Sequence, residues 1–288
     1  METSLYEPAL RRVLWKLRPY LDDVVIIGGW VPYLYRRYGG FASWTAGFSL
    51  TAEVDVLVDR PLSAGERPTV PEILRASGFH PTSDVGRGAV WLGDVAAGER
   101  VEFLVPHTGT AHQQGMVVPI ALQGGMGAIS LPGLELLRRY RRRLPIPIAT
   151  PDGGDELQVW VPLLGAYVVN KACTFLRRQT HAEGDNPKRA KDLLYLRDIA
   201  AAGPEVVEHV TRDLRQLRKD RPAANSMREA VNFLRLALAG QGGAVEEAAA
   251  MLREREAAGS DAAAESDVRG SLTDLLELLE EVLGQHRP

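Results

Sequence analysis

Residues 51–60, TAEVDVLVDR, limit the folds open to this chain more than any other stretch. Val54, Val56 and Val58 fall at every second position, which suits a strand with one buried apolar face. The opposite face then carries Glu53, Asp55 and Leu57. Side chains two residues apart on one face of a strand stand about 7 Å apart, so the two carboxylates repel. Two explanations are open. The face is solvated, as on an edge strand, or a divalent cation holds both carboxylates. The segments on either side favour the cation.

Upstream, DVVIIGG reads as a short apolar strand that ends on Gly28 and Gly29. WVPYLYRRYGG follows as a helix with Pro32 in its first turn. Two glycines there let the backbone approach a ligand, and the amides opening the helix would face a phosphate. An ordinary tight turn is the plain alternative. Downstream, RVEFLV places Glu102 between Val101 and Phe103 in a further strand. A neighbouring position in the sheet would bring Glu102 beside Asp55; a lone solvated glutamate is the alternative.

Two later helices carry cations. In NKACTFLRRQ, Lys171 and Arg178 lie seven residues apart on one face, with Thr174 between them. A lysine inside the apolar run AYVVNKACTFL is out of place on a solvated face. It could neutralise a polyphosphate as a point charge, or snorkel to the surface. PKRAKDLLYLRDI aligns Lys188, Lys191, Asp192 and Tyr195, which taken alone reads as a solvated face with local ion pairs.

The expected class is α+β: a mixed sheet flanked by helices over residues 1–161, then a helical bundle over 162–288. GAVWLG, ERVEFLVP, MVVPIAL and ELQVWVP are expected strands, and LPGLELLRRYRRRL an expected helix. That helix would carry Arg138, Arg139, Arg141, Arg142 and Arg143 around Tyr140. The patch is either a solvated helix end or a grip on a nucleic-acid backbone, with Tyr140 placed to stack. Residues 240–270 are rich in Gly, Ala and Glu and read as a weakly packed helix plus a flexible linker. Ser271 is the expected N-cap of a last amphipathic helix.

Composition narrows the setting. The 288 residues carry a net charge of -3, so any nucleic-acid surface must be local. A single cysteine, Cys173, allows no internal disulfide and fits a reducing cytoplasm. The first residues show no basic segment followed by an apolar run, so no signal peptide is expected, and no apolar run suggests a membrane span. The six histidines show no metal-ligand spacing, and neither a nucleophile elbow nor a Walker-type loop is found.

Taken in order, VVIIGGW, TAEVDVLV and RVEFLV resemble the nucleotidyltransferases of the DNA polymerase β superfamily. NKACTFLRR and KRAKDLLYLRDI are similar to the paired helices of AbiEii-type nucleotidyltransferase toxins of bacterial type IV toxin–antitoxin systems. The likeness spans residues 22–200 in outline and is concentrated in these motifs. It implies that Glu53 and Asp55 hold two Mg²⁺ ions, with Glu102 as third acid. It implies that Gly28, Gly29, Lys171, Arg178 and Lys191 bind the NTP, and that Asp192 acts as a base or a positioning group. It further implies an RNA acceptor such as tRNA, or a protein acceptor, and a cognate antitoxin, with no membrane partner. GGWVPYLY is also similar to the glycine turn of aminoglycoside nucleotidyltransferases, which would make the acceptor a small cation. Glu53 stands where aspartate is commoner, and this supports a third reading, a binding module that keeps the fold without catalysis.

Overall fold

A computed structural model describes residues 7–41, 44, 53–82, 88–94, 99–108, 114–150, 153–177, 187–240, 243–256 and 261–284. The chain divides into two compact units, Met1–Gly39 with Leu50–Pro162, and Gly40–Ser49 with Leu163–Pro288. The architecture is a mixed sheet flanked by helices, followed by a helical C-terminal region, as the sequence pattern predicts.

In the first unit, seven strands among the described residues form one sheet. They are β1 (Val24–Ile27), β2 (Glu53–Val58), β3 (His80–Pro81), β4 (Val90–Leu92), β5 (Arg100–Pro106), β6 (Val117–Pro119) and β7 (Gly127–Leu131). β1 runs antiparallel to β2, and β2 parallel to β5. A parallel step needs a crossover, and α3 (Val70–Ala76) lies within it, started by a capping box between Thr69 and Glu72. β5 pairs antiparallel with β4 through residues 100–102 and parallel with β7 through residues 104–106. Val54, Val56, Val58, Val101, Phe103 and Val105 are each at most 1% exposed and form the core face. The opposite face holds Glu53, Asp55 and Glu102, all half-buried.

Helix α1 (Glu7–Lys16) is tied to α2 (Trp30–Tyr38) through one carboxylate. Glu7 Oε1 accepts from Arg11 Nη2 at 2.6 Å and from the Tyr38 hydroxyl at 2.8 Å. The other end of Arg11 donates to the Pro147 carbonyl at 2.9 Å. Burial pushes the Glu7 carboxyl up, but hydrogen bonds from Tyr33, Tyr38 and Arg11 outweigh it and hold it below the usual carboxylate range.

Two expectations for this unit change. The helix expected over 131–144 stops early: α4 is Leu134–Arg139, and Arg141 already begins β8 (Arg141–Thr150). Pro145 and Pro147 forbid a helix interior, and the alternation RLPIPI suits a ribbon with Leu144, Ile146 and Ile148 buried. β8 pairs along its length with β9 (Gly153–Pro162), and Tyr35 donates from its hydroxyl to the Pro162 carbonyl at 2.8 Å. The strand expected at MVVPIAL shrinks to the three residues of β6, and GAISL (β7) instead extends the parallel part of the sheet.

The second unit contains α5 (Leu164–Arg177), α6 (Pro187–Ala200), α7 (Pro204–Arg218), α8 (Arg221–Leu238), α9 (Ala244–Glu256) and α10 (Asp261–Leu283). α5 packs on α6, α7 and α8, and α6 packs on α9 and α10. Both central helices are buried around most of their circumference, which is the condition of a core helix. The weakly packed linker expected over 240–270 is largely helix. Ala244, Val245, Ala248, Ala249 and Leu252 form a buried stripe on α9, where small side chains permit close approach. α10 begins ten residues before Ser271, so Ser271 lies inside the helix, 8% exposed, rather than capping it.

Ion pairs join these helices. Asp198 of α6 is 0% exposed and accepts two bonds from Arg255 of α9, at 2.7 and 2.8 Å. Its neighbour Arg197 pairs with Asp267 of α10.

Two outcomes are expected. Arg255→Ala leaves Asp198 with its main counter-ion removed and should cost about 3–5 kcal/mol in urea denaturation, as for other broken buried pairs. The folded Glu7 carboxyl lies below its unfolded value, so its contribution is full above the ordinary carboxylate pKa and lost as pH falls through the folded value. Glu7→Gln should therefore lower the melting temperature at neutral pH and flatten its acid dependence, as followed by calorimetry.

Candidate active site

The acid-bearing face is set by strand register. Ile27 of β1 lies opposite Asp55, and Asp55 lies opposite Glu102 of β5. Because β2 and β5 run parallel, Glu53 falls opposite Arg100. One carboxylate oxygen each from Glu53, Asp55 and Glu102 lie within 4.8 Å of one another. Among the described residues this is the one group of three or more potential ligands so arranged. At an effective dielectric near 20, each ionised pair at such a distance repels by about 3 kcal/mol. Arg100 offsets part of this, its Nε standing 3.5 Å from Glu53 Oε2.

Gly28 follows β1 with φ at 73°, the left-handed region that costs a residue with a Cβ about 1–2 kcal/mol. Space excludes other residues more firmly than the dihedral does. A Cβ on Gly28 would lie 1.9 Å from Asp55 Oδ2. The turn and the central carboxylate therefore occupy adjoining space. Gly29 stands at the N-cap of α2. The next residue, Trp30, is fully buried and donates from Nε1 to the Glu53 carbonyl at 3.0 Å. It fixes the start of the acid-bearing strand to the glycine turn.

The donor set is all carboxylate oxygen, half-buried and mutually repelling. That fits a hard divalent cation such as Mg²⁺, which prefers oxygen ligands and favours sites with several carboxylates or substrate phosphates.

In the helical unit, Lys171 of α5 and Asp192 of α6 are 7% and 1% exposed, and Nζ lies 2.7 Å from Oδ1. Thr174 donates from its hydroxyl to the other oxygen of Asp192 at 3.1 Å. The lysine ammonium also sits over two rings, 5.5 Å from the centroid of Tyr167 and 4.9 Å from that of Tyr195. The α6 face that reads as solvated in the sequence is therefore internal at Asp192 and Tyr195, while Lys191 is half-buried. Arg178 lies outside the described residues.

The arginine cluster is not one helical patch. Arg138 and Arg139 end α4, and Arg141, Arg142 and Arg143 begin β8. Each described side chain meets a neighbour. Arg138 bridges Asp59 and Glu135, and both carboxylates raise its pKa. Arg139 lies over Tyr140 and Arg142 over Tyr35. Arg141 and Arg143 each stand 4.7 Å from the Trp160 ring centroid, and Arg143 also bonds Asp22.

Sequence reasoning passed over Trp30, Arg100 and Tyr167, and read Tyr195 as part of a solvated face. The signals were present but short. Trp30 directly follows the glycine pair, Arg100 precedes Glu102 by two residues, and the tyrosines sit one turn from Lys171 and Asp192.

The three carboxylates beside the glycine turn form a group that could hold a metal ion. The chain is a member of a nucleotidyltransferase family, whose model matches residues 9–217. Its general reaction is the transfer of a nucleoside monophosphate. No curated protein and no solved structure gives a significant match. No helix among the described residues is long and apolar enough to cross a membrane.

The shared space of Gly28 and Asp55 makes a sharp expectation. Gly28→Ala should unfold at lower temperature and lose any rise in melting temperature on adding Mg²⁺. Asp55→Asn should melt higher than the native chain without divalent cation, because repulsion is relieved, yet gain less when Mg²⁺ is added. Calorimetry with and without the ion checks both.

Proposed function

We propose that this chain is a Mg²⁺-dependent enzyme that moves a nucleoside monophosphate from an NTP to RNA, such as a tRNA end, with pyrophosphate leaving. The observation that carries the reading is the parallel register of Asp55 and Glu102, which gathers three carboxylates against the glycine turn. Glu53 and Asp55 would hold the cations, with Glu102 completing the set. When bound, two such ions activate an attacking oxygen and stabilise the leaving one.

The protein's own groups have distinct parts in this reading. Gly28 and Gly29 bring backbone close to the triphosphate, and the N-terminus of α2 offers its amides and dipole. Lys171 neutralises phosphate charge, assisted by Lys191 and Arg178. Asp192, engaged by both Lys171 and Thr174, is a positioning group rather than the base. Glu102 accepts the proton of the acceptor hydroxyl as the new oxygen–phosphorus bond forms and the bond to pyrophosphate breaks. The likeness to AbiEii-type toxins supports a toxin restrained by a partner protein. A protein acceptor is the variant of this reading that the same assay separates.

One observation favours a second reading. Arg100 stands beside Glu53 and offsets part of its charge, as would suit a fold kept for binding after catalysis is lost.

Incubation with Mg²⁺, each labelled NTP in turn and total tRNA, beside Asp55→Ala, separates these outcomes. Label on RNA that disappears in the variant is the expected result. Label on protein moves the acceptor to that class. Absence of transfer together with absence of Mg²⁺–NTP binding by calorimetry would establish the binding module instead.

A further inference from the structure

Strand register puts one cation on the acid-bearing face. Arg100 precedes Glu102 by two residues on β5, so the two side chains share a face, while Val101 between them points into the core. The backbone of Arg100 is held from both sides, opposite Glu53 of β2 and opposite Leu92 of β4. A guanidinium therefore stands beside the first acid of the three-carboxylate group.

The contact is a poor one for a structural ion pair. Nε lies 3.5 Å from Glu53 Oε2, is closed off from water and makes no hydrogen bond to a described group. A closed-off donor without an acceptor is unfavourable. Other arginines of the same unit do better: Arg138 donates to Asp59 at 3.0 Å, and Arg143 to Asp22 at 2.7 Å. The Arg100 side chain is nonetheless 40% exposed, and that exposure belongs to its other atoms.

The charges explain what such a half-made contact can do. Three carboxylates repel one another, and a single guanidinium offsets part of that repulsion. A divalent cation ligated by Glu53 would take over the charge that now attracts Arg100. The guanidinium would then lie next to a bound cation, where the phosphates of a metal-bound nucleotide also gather. Its planar fork of donors matches phosphate oxygens.

We propose that Arg100 serves Glu53 and the nucleotide in turn: its guanidinium offsets the Glu53 carboxylate before the divalent cation binds, and passes to a phosphate of the NTP once the cation has taken Glu53. This rests on the reading of the acid triad as a Mg²⁺–NTP site. It makes Arg100 a phosphate-binding residue of a working site rather than a mark of lost catalysis.

One substitution should act in opposite directions on the two ligands. Arg100→Gln removes a charge that competes with Mg²⁺, so affinity for Mg²⁺ alone should rise about threefold. At saturating Mg²⁺, affinity for the preferred nucleotide among ATP, GTP, CTP and UTP should fall about tenfold, because a charge-assisted bond is lost. Arg100→Lys keeps the charge without the fork, so Mg²⁺ affinity should stay near native while nucleotide affinity still falls. Calorimetry reads both ligands, with melting temperature in parallel. Arg100→Gln should melt lower than the native chain without Mg²⁺ and gain more when the ion is added. Weaker binding of both ligands, or unchanged Mg²⁺ affinity, would overturn the proposal and leave Arg100 a structural residue. Tighter Mg²⁺ binding with unchanged nucleotide affinity would overturn the transfer to phosphate and leave only a counter-ion. Native nucleotide affinity in Arg100→Lys would overturn the part given to the guanidinium fork. If the native chain itself binds neither Mg²⁺ nor any of the four nucleotides, the Mg²⁺–NTP reading fails, and the role of Arg100 fails with it.

Discussion

The Asp55 carboxylate and the absent side chain of Gly28 compete for the same volume. A Cβ on Gly28 would lie 1.9 Å from Asp55 Oδ2, inside any van der Waals contact. Much of the first unit's local geometry is arranged around that contact. β1 must run antiparallel to β2 with Ile27 opposite Asp55 for the turn to arrive there. The chain must then leave in the left-handed conformation that glycine adopts at low cost. Trp30 locks the arrangement by bonding the Glu53 carbonyl from the first turn of α2.

The same face shows how charge is managed when it is only partly solvated. Three carboxylates on neighbouring strands destabilise the fold unless something offsets them, and Arg100 does so in part for Glu53. Strain of this kind is retained where a ligand relieves it, and membership of a nucleotidyltransferase family fits such a ligand being a cation with its nucleotide. The helical unit solves a related problem differently. There, Lys171 and Asp192 compensate one another in the core, and aromatic faces complete the shell. Farther along α6, Asp198 is held by Arg255, so helices α9 and α10 brace the helix that carries Asp192. Both bracing helices, α9 and α10, lie beyond the 9–217 span matched by the family model.

Much of this was legible in the chain itself. Alternating valines with acids between them specify a strand with one polar face, because side chains alternate with a period of two. The glycine pair marks a turn, and RVEFLV marks a second acid-bearing strand. The helix misplaced at residues 140–144 shows the limit of local reading. RRYRRR has good helix formers, and only the alternation and prolines that follow it, paired with β9, draw Arg141 into a strand. The Ala-rich segment after residue 240 was misread for a related reason. Its few large apolar residues suggest weak packing, yet small side chains allow α9 close against α6 and α10.

The sequence by itself determined which residue types lie on which face of each strand and helix, since that depends only on backbone periodicity. Tertiary structure alone decided that β2 and β5 are parallel neighbours with Asp55 opposite Glu102, because register is set by long-range pairing and the shared core. It alone decided that Asp192 and Tyr195 face inward. On an isolated helix their spacing is equally that of a solvated face, and only packing by α5, α9 and α10 buries it.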